Sequence, residues 1–146
     1  MTVQIALCDD ETADMEKTEK LLSAYEQENP DLNFLIQRFE DTGELLNMVR
    51  EGSYAPELLF LDIYLPGEQG ENIPLGMEAA KKLRHMGSET KIIFLTTSRE
   101  HALEAFEVEA SCYLVKPVSE DKLFSKLSYE SSIFNQPAFF PSALCS

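Results

Sequence analysis

The sequence predicts a single α/β domain built on a five-stranded parallel sheet with helices on both faces. Along the 146 residues, short apolar segments typical of buried strands alternate with segments of helical periodicity. The run Leu58–Leu61 is four consecutive apolar residues, as expected for a strand buried on both faces of a parallel sheet. Strands and helices that alternate in this way join through right-handed crossovers, with helices covering both faces of the sheet.

The predicted strands and helices follow one another in a regular order. In the first helix, four residues at helical spacing form one stripe, Met15, Thr18, Leu22 and Tyr25. Asp41 and Glu44 form a potential capping box for the second helix, while Ser98 and Ser119 are candidate caps for the fourth and fifth. The strands are expected at residues 3–7, 32–39, 58–61, 91–95 and 111–115, and the first three helices at residues 11–29, from about 42, and 75–85.

This order of elements predicts a doubly wound, flavodoxin-like fold, with one domain at residues 1–131. Residues 132–146 form a separate tail, which contains two prolines and no charged residue and has neither helical nor strand periodicity. The tail could be the start of a linker, a packed extension or an artificial addition, and we assign no function to it.

Composition limits the class of function. The formal net charge of −14 and the pI near 4.4 argue against direct binding to nucleic acid or to an anionic membrane. They fit an acidic cleft for a cation, and also an ordinary solvated acidic surface. We find no signal peptide and no apolar run approaching the ~20 residues of a membrane span. Cys8 and Cys112 lie in apolar segments typical of buried free thiols, which favours a reducing cytoplasm.

Polar side chains follow four of the predicted strands at the points where they end: Asp9 and Asp10, Asp62, Thr96, and Lys116. Because the carboxyl ends of parallel strands meet at one edge of a sheet, we expect these groups to converge. Crowded carboxylates repel one another, and Mg²⁺ with oxygen ligands relieves that repulsion.

The chemistry that such a site permits is phosphoryl transfer to a carboxylate. An aspartate can act as a nucleophile and form an acyl phosphate. Asp10 and Asp62 would hold Mg²⁺, with Asp9 tuning the charge or binding through water. Lys116 would supply positive charge, and Thr96 a hydrogen bond to a phosphoryl oxygen.

Each residue also has an ordinary explanation when taken alone. An Asp-Asp pair after a strand is commonly a helix cap, a threonine at a strand end reflects β-propensity, and a Lys-Pro pair is commonly a turn. The joint placement of all of them at corresponding strand ends favours the functional interpretation.

Residues 2–127 resemble the receiver domain of two-component response regulators. The resemblance rests on the pair Asp9-Asp10, on the segments 61–66 (LDIYLP) and 94–97 (FLTT), and on the segment 113–117 (YLVKP), in the order and spacing of that family. Residues 98–110 are similar to receivers attached to LytTR-type DNA-binding domains.

The resemblance implies that Asp62 accepts a phosphoryl group from the phosphohistidine of a sensor histidine kinase. It implies Mg²⁺ bound by Asp10, Asp62 and the backbone carbonyl of Tyr64, with Asp9 beside it. The domain would then be a signalling phosphoacceptor, whose only chemistry is its own phosphorylation and dephosphorylation, and not an enzyme acting on a substrate.

The resemblance also implies a switch. Thr96 would move toward the phosphate, Tyr113 would rotate inward, and the bond from Lys116 to Pro117 would be cis. The surface formed by the fourth helix, fifth strand and fifth helix would change shape, and would form a homodimer or release an output domain. DNA would be contacted only through a further LytTR-type domain.

The sequence departs from the family in two respects. Pro66 and Gly76 lie ten residues apart, which makes the loop after the expected phosphoacceptor longer than usual. No output domain is recognisable after the fifth helix, so either the protein continues or it is a stand-alone receiver acting through protein contacts.

Three other functions fit the sequence less well than the receiver does. A phosphohydrolase of the haloacid-dehalogenase type needs a second aspartate where Tyr64 stands. A nucleotide- or flavin-binding protein needs a glycine-rich loop where residues 8–12 read CDDET. A degenerate receiver that only binds partners is disfavoured by the presence of Asp10, Asp62, Thr96 and Lys116.

Overall fold

The computed structural model describes residues 1–128. The predicted alternation of strands and helices is confirmed, with most bounds within one or two residues of those expected. The tail at residues 132–146 and the domain end expected at residue 131 lie outside the described residues. In chain order the elements are β1 (Thr2–Cys8), α1 (Thr12–Glu28), β2 (Asn33–Phe39), α2 (Thr42–Glu51), β3 (Leu58–Leu61), β4 (Leu65–Pro66), β5 (Asn72–Ile73), α3 (Leu75–His85), β6 (Lys91–Thr96), α4 (Ala102–Glu107), β7 (Cys112–Val115) and α5 (Glu120–Ser128).

The main sheet has the strand order β2-β1-β3-β6-β7, and all of its neighbouring strands are parallel. The chain order reverses at β1, which is the topological switch point of a doubly wound sheet. The predicted flavodoxin-like fold is therefore confirmed. Among residues 1–128, no helix combines the length and apolar character needed to cross a membrane.

Two apolar cores lie on the two faces of the sheet. One contains residues of α2, α3 and α4, and the other contains residues of α1 and α5. All four residues of β3 are buried, as its uninterrupted apolar sequence predicts. The stripe predicted for α1 is also confirmed, because its buried residues are Met15, Thr18, Leu22 and Tyr25.

Two of the three predicted helix caps are present. The Asp41 carboxylate accepts a hydrogen bond from the Glu44 backbone N–H, and the Ser119 hydroxyl accepts one from Lys122. The cap predicted at Ser98 is wrong: α4 begins only at Ala102, and its N-cap residue makes no side-chain capping bond. The Ser98 hydroxyl instead accepts from the Glu100 N–H, which closes a turn ahead of the helix.

The long loop after Pro66 is a short β-hairpin, which the sequence did not predict. β4 and β5 pair antiparallel, with Leu65 opposite Ile73. The N–H of Gly67 donates to the carbonyl of Glu71, and Gly70 makes the turn with a φ of +84°.

The hairpin leaves Gly76 packed against the backbone that follows β3. The N–H of Gly76 donates to the carbonyl oxygen of Ile63 at 2.8 Å. A Cβ atom on Gly76 would lie 1.8 Å from the carbonyl oxygen of Asp62. A glycine is therefore required at this position, and the extra residues are accommodated between Pro66 and Gly76 without moving α3 away from the end of β3.

We expect Gly76→Ala to destabilise the fold by about 3 kcal/mol or more, because the new methyl group meets backbone that must shift. Urea unfolding measures this change. Gly43→Ala is a matched control, since Gly43 is likewise the second residue of a helix and its Cβ would meet only a side-chain oxygen of Asp41, at 3.2 Å. Equal stability of the two variants would contradict the steric argument.

Candidate functional site

The strand register brings the predicted site residues to one edge of the sheet. Cys8 pairs with Leu61, so the residues that follow them, Asp9 and Asp62, emerge side by side. The backbone N–H of Asp62 donates to the Cys8 carbonyl at 3.0 Å, and that of Lys116 donates to the Thr96 carbonyl at 2.7 Å. These bonds continue the strand ladders beyond their ends and fix the directions in which the side chains leave.

Three of the predicted metal ligands form one group of carboxylates. One oxygen from each of Asp9, Asp10 and Asp62 lies within 4.8 Å of the other two. Asp9 is buried, Asp62 is half-buried and Asp10 is exposed, so the group is open to solvent on one side. Several hard oxygen donors with access for water fit Mg²⁺, which keeps part of its hydration shell in proteins.

Lys116 lies among the carboxylates. Its Nζ donates to Asp9 Oδ2 at 2.8 Å, to Asp14 Oδ2 at 2.8 Å and to Asp62 Oδ2 at 3.1 Å. Asp14 is in the first turn of α1 and was not predicted from the sequence. Burial by itself would lower the pKa of Lys116, but the hydrogen bonds that it donates to Asp14 and Asp9, together with the charges of Asp62 and Asp9, outweigh burial and raise the pKa. Lys116 is therefore a fixed positive charge.

Burial raises the pKa of Asp62 to about 6. Lys116 acts against this shift, Asp9 adds to it, and the backbone N–H of Tyr64 lowers the pKa slightly. The dominant cause is the loss of hydration of the charged form, which Lys116 compensates only in part. A further positive charge near Asp62 would stabilise its ionised form.

Thr96 and Tyr113 lie beneath the open edge and are buried. The Thr96 hydroxyl accepts a hydrogen bond from the Ser98 N–H at 3.4 Å. The Tyr113 hydroxyl donates to the Ser98 carbonyl, and its ring packs 6.1 Å from that of Phe94. The bond from Lys116 to Pro117 is cis, as the resemblance implied.

A second group of contacts, around Tyr64, was missed from the sequence. The Tyr64 hydroxyl lies 2.7 Å from Nε2 of His101, and Nδ1 of His101 lies 2.7 Å from Oε1 of Glu104. The backbone N–H of His101 donates in turn to the Tyr113 hydroxyl at 3.4 Å. Only the spacing of His101 and Glu104, three residues apart, could have indicated part of this arrangement.

Residues 5–128 match the family described as the response regulator receiver domain. The chain belongs to this family. Receiver domains are signalling phosphoacceptors, they generally bind Mg²⁺ at an acidic pocket, and response regulators are phosphorylated by sensor histidine kinases.

Relatives include several proteins named sensory transduction protein LytT. The one from Oceanobacillus iheyensis is 36% identical over 124 residues, which are 84% of this chain and 45% of that protein. The transcriptional regulatory protein YpdB of Escherichia coli is 28% identical over 102 residues, which are 70% of this chain and 38% of YpdB. The chain thus spans less than half the length of these relatives.

Solved structures support the fold. The response regulatory domain of protein mrkE from Klebsiella pneumoniae aligns with a TM-score of 0.73 and 24% identity, covering 91% of this chain and 98% of that one. A CheY-like receiver domain from Methanospirillum hungatei aligns with a TM-score of 0.68 and 23% identity, covering 92% and 98% of the two chains.

We expect Asp62→Asn to stabilise the metal-free protein near neutral pH. Because the folded state raises the pKa of Asp62 from 3.8 to about 6, it binds more protons than the unfolded chain between these values. The wild-type protein therefore loses stability as the pH rises through this window, and the variant does not. The difference should be near zero below pH 3.8 and on the order of 1–2 kcal/mol above pH 6, since water reaches part of the carboxyl group.

Urea unfolding in the presence of a chelator at several pH values measures this difference. The exposed Asp121 on α5 is a control, because Asp121→Asn removes the same charge outside the group of carboxylates. A stability difference for Asp62→Asn that does not change with pH would contradict the raised pKa.

Proposed function

We propose that this chain accepts a phosphoryl group on Asp62 from the phosphohistidine of a sensor histidine kinase, in a reaction that requires Mg²⁺. The observation that carries the proposal is the bonding of Lys116 Nζ to Asp62 beside a group of three carboxylates at the open edge of the sheet. A nucleophile, a fixed cation and a set of hard oxygen ligands are the groups that phosphoryl transfer to a carboxylate needs.

Each residue then has a defined role. A carboxylate oxygen of Asp62 forms the new bond to phosphorus, while the bond from phosphorus to the kinase imidazole breaks; the imidazole, protonated at its other ring nitrogen, takes the electron pair of that bond and leaves neutral. Asp10 and Asp62 would hold Mg²⁺ together with the Tyr64 carbonyl, with Asp9 beside them, and the ion would neutralise charge on the phosphoryl oxygens. Lys116 pairs with one of those oxygens.

Thr96 and Tyr113 would couple phosphorylation of Asp62 to structural change in the rest of the domain. The Thr96 hydroxyl accepts from the Ser98 N–H, so a movement of Thr96 toward a phosphoryl oxygen, to which it would donate, would displace that bond, and Ser98 is also the hydrogen-bond partner of Tyr113. A dianion at Asp62 would therefore change the turn that precedes α4. The proposed output is a rearranged surface formed by α4, β7 and α5.

The test is intact mass after incubation with Mg²⁺ and a small acyl-phosphate donor. We expect a base-labile gain of one phosphoryl group in the wild-type protein and in Asp121→Asn, and no gain in Asp62→Asn. Asp10→Asn should retain the acceptor but react more slowly, by about tenfold or more for the loss of one metal ligand. Phosphate uptake by Asp62→Asn would falsify the assignment of the acceptor.

We further propose that phosphorylation produces a homodimer through the α4–β7–α5 surface. Leu103 on α4 is 77% exposed and Phe106 is 46% exposed, an unusual pair of apolar side chains on one short helix. Light scattering with Mg²⁺ and beryllium fluoride should show a mass increase that Leu103→Glu abolishes. Leu35→Glu is the control, because Leu35 is 50% exposed on β2, at the opposite edge of the sheet. An equal effect of both variants would contradict this interface.

The output of the switch is the remaining part of the proposal. The likeness to the transcriptional regulatory protein YpdB, and of residues 98–110 to receivers of the LytTR type, favours control of transcription through a further LytTR-type domain, which would supply the contact with DNA. The net charge of −14 is consistent with a segment that does not itself bind DNA. The alternative is a stand-alone receiver acting by protein–protein contacts, which the same phosphorylation chemistry would serve.

A further inference from the structure

We propose that Asp14 is a positioning residue that competes with the phosphoryl group for the ammonium of Lys116. This inference rests on the proposed function of Asp62. Asp14 would hold Lys116 toward α1 in the unphosphorylated protein, and would release it when a phosphoryl group arrives. The strength of the contact between Asp14 and Lys116 would then set how tightly the site holds a phosphoryl group.

The first step concerns the hydrogen bonds of Lys116. An ammonium group has three N–H donors, and all three are engaged by carboxylates, from Asp9, Asp14 and Asp62. When Asp62 is phosphorylated, one of its oxygens bonds to phosphorus and the negative charge passes to the phosphoryl oxygens, which lie beyond the present carboxylate. Lys116 must then move outward to pair with a phosphoryl oxygen, and its bonds to Asp9 and Asp14 resist that movement.

The second step concerns which bond is released. Asp9 and Asp62 follow adjacent strands, and their side chains are only 10% and 13% exposed. The Asp14 side chain is 25% exposed and reaches Lys116 from the first turn of α1. Because water can solvate its carboxylate most readily, the contact of Lys116 with Asp14 costs the least to break.

The third step concerns space around the pair. Asp14 and Lys116 both line a cavity of about 290 Å³ between α1 and the segments that follow β6 and β7, with Thr97 and Pro117 in its wall. Asp62 does not line this cavity, so the space lies on the Asp14 side of the pair. The carboxylate of Asp14, once released by Lys116, would face the cavity and could be solvated there.

The fourth step concerns the metal ion. The group of carboxylates that could share a cation, among the residues described, comprises Asp9, Asp10 and Asp62 but not Asp14. A cation would draw charge from Asp9 and Asp62 and so weaken their hold on Lys116. Asp14 would keep its full charge and become the main competitor of the phosphoryl group.

Beryllium fluoride with excess Mg²⁺ is the probe, and its dissociation constant is measured by ¹⁹F NMR or calorimetry. Asp14→Asn keeps the shape of the side chain and removes its charge, so we expect about three- to tenfold tighter binding than in the wild-type protein. Glu16→Gln is the matched control, because Glu16 is an exposed carboxylate on the same helix. Its change should stay below about twofold.

Measurements at different ionic strengths distinguish the direct contact between Asp14 and Lys116 from the long-range electrostatic effect of other charges on α1. At high salt the effect of Glu16→Gln should vanish, whereas most of the gain in Asp14→Asn should persist because the contact is short and partly buried. Equal affinities of the two variants at high salt, or weaker binding by Asp14→Asn, would overturn the proposal.

A measurement on the metal-free protein tests the contact between Asp14 and Lys116 in the absence of any phosphoryl analogue. Exchange of the Lys116 ammonium protons with water, followed by ¹⁵N NMR, should be faster in Asp14→Asn than in Glu16→Gln, since one donor loses a charged acceptor. Unchanged exchange would also refute the proposal. Failure of the wild-type protein to bind beryllium fluoride would count instead against the function proposed for Asp62, so the two failures are distinguishable.

Discussion

The group of carboxylates at the edge of the sheet is stabilised by the positive charge of one residue, Lys116. Four carboxylates meet there, and Lys116 bonds directly to those of Asp9, Asp14 and Asp62. A buried carboxylate without a partner is strongly disfavoured. The cluster is stable because the Lys116 ammonium and the surrounding water both stabilise its negative charge. Yet one ammonium cannot neutralise four carboxylates. Burial, with a smaller contribution from Asp9, raises the pKa of Asp62 although Lys116 lowers it, so the site would stabilise a divalent cation that supplies more positive charge.

The backbone positions this cluster with little freedom. The N–H of Asp62 is bound to Cys8, the N–H of Lys116 to Thr96, and the N–H of Gly76 to Ile63. Gly76 holds α3 so close to Asp62 that no side chain fits between them. The hairpin formed by β4 and β5 therefore adds residues beside the site but leaves Asp62 and α3 in contact. This explains how the longer loop is compatible with the positions of the site residues.

The sequence predicted those features that depend on strand periodicity. The ends of parallel strands meet by necessity, so Asp9, Asp62 and Lys116 could be placed together from their positions alone. Asp14 could not, because its contact with Lys116 depends on how α1 is rotated over the sheet, and 102 residues separate the pair. His101 was missed for a related reason, since α4 begins later than the Ser98 cap suggested and its first turn depends on tertiary contacts.

The two contacts that the sequence did not predict, Asp14 with Lys116 and His101 with Tyr64, indicate how a structural change at Asp62 would be transmitted to other elements. One route leads through Lys116, which continues from β7 and binds Asp14 on α1. The other leads through Tyr64, two residues beyond Asp62, to His101 and the start of α4, where the Tyr113 hydroxyl is also bound. Both routes end on helices that pack on the sheet, α1 on one face and α4 on the other, and each depends on a few hydrogen bonds that a new dianion would disturb. A single added group can therefore act on α1 and α4 together, because both helices already share their polar contacts with the strand ends that carry the site.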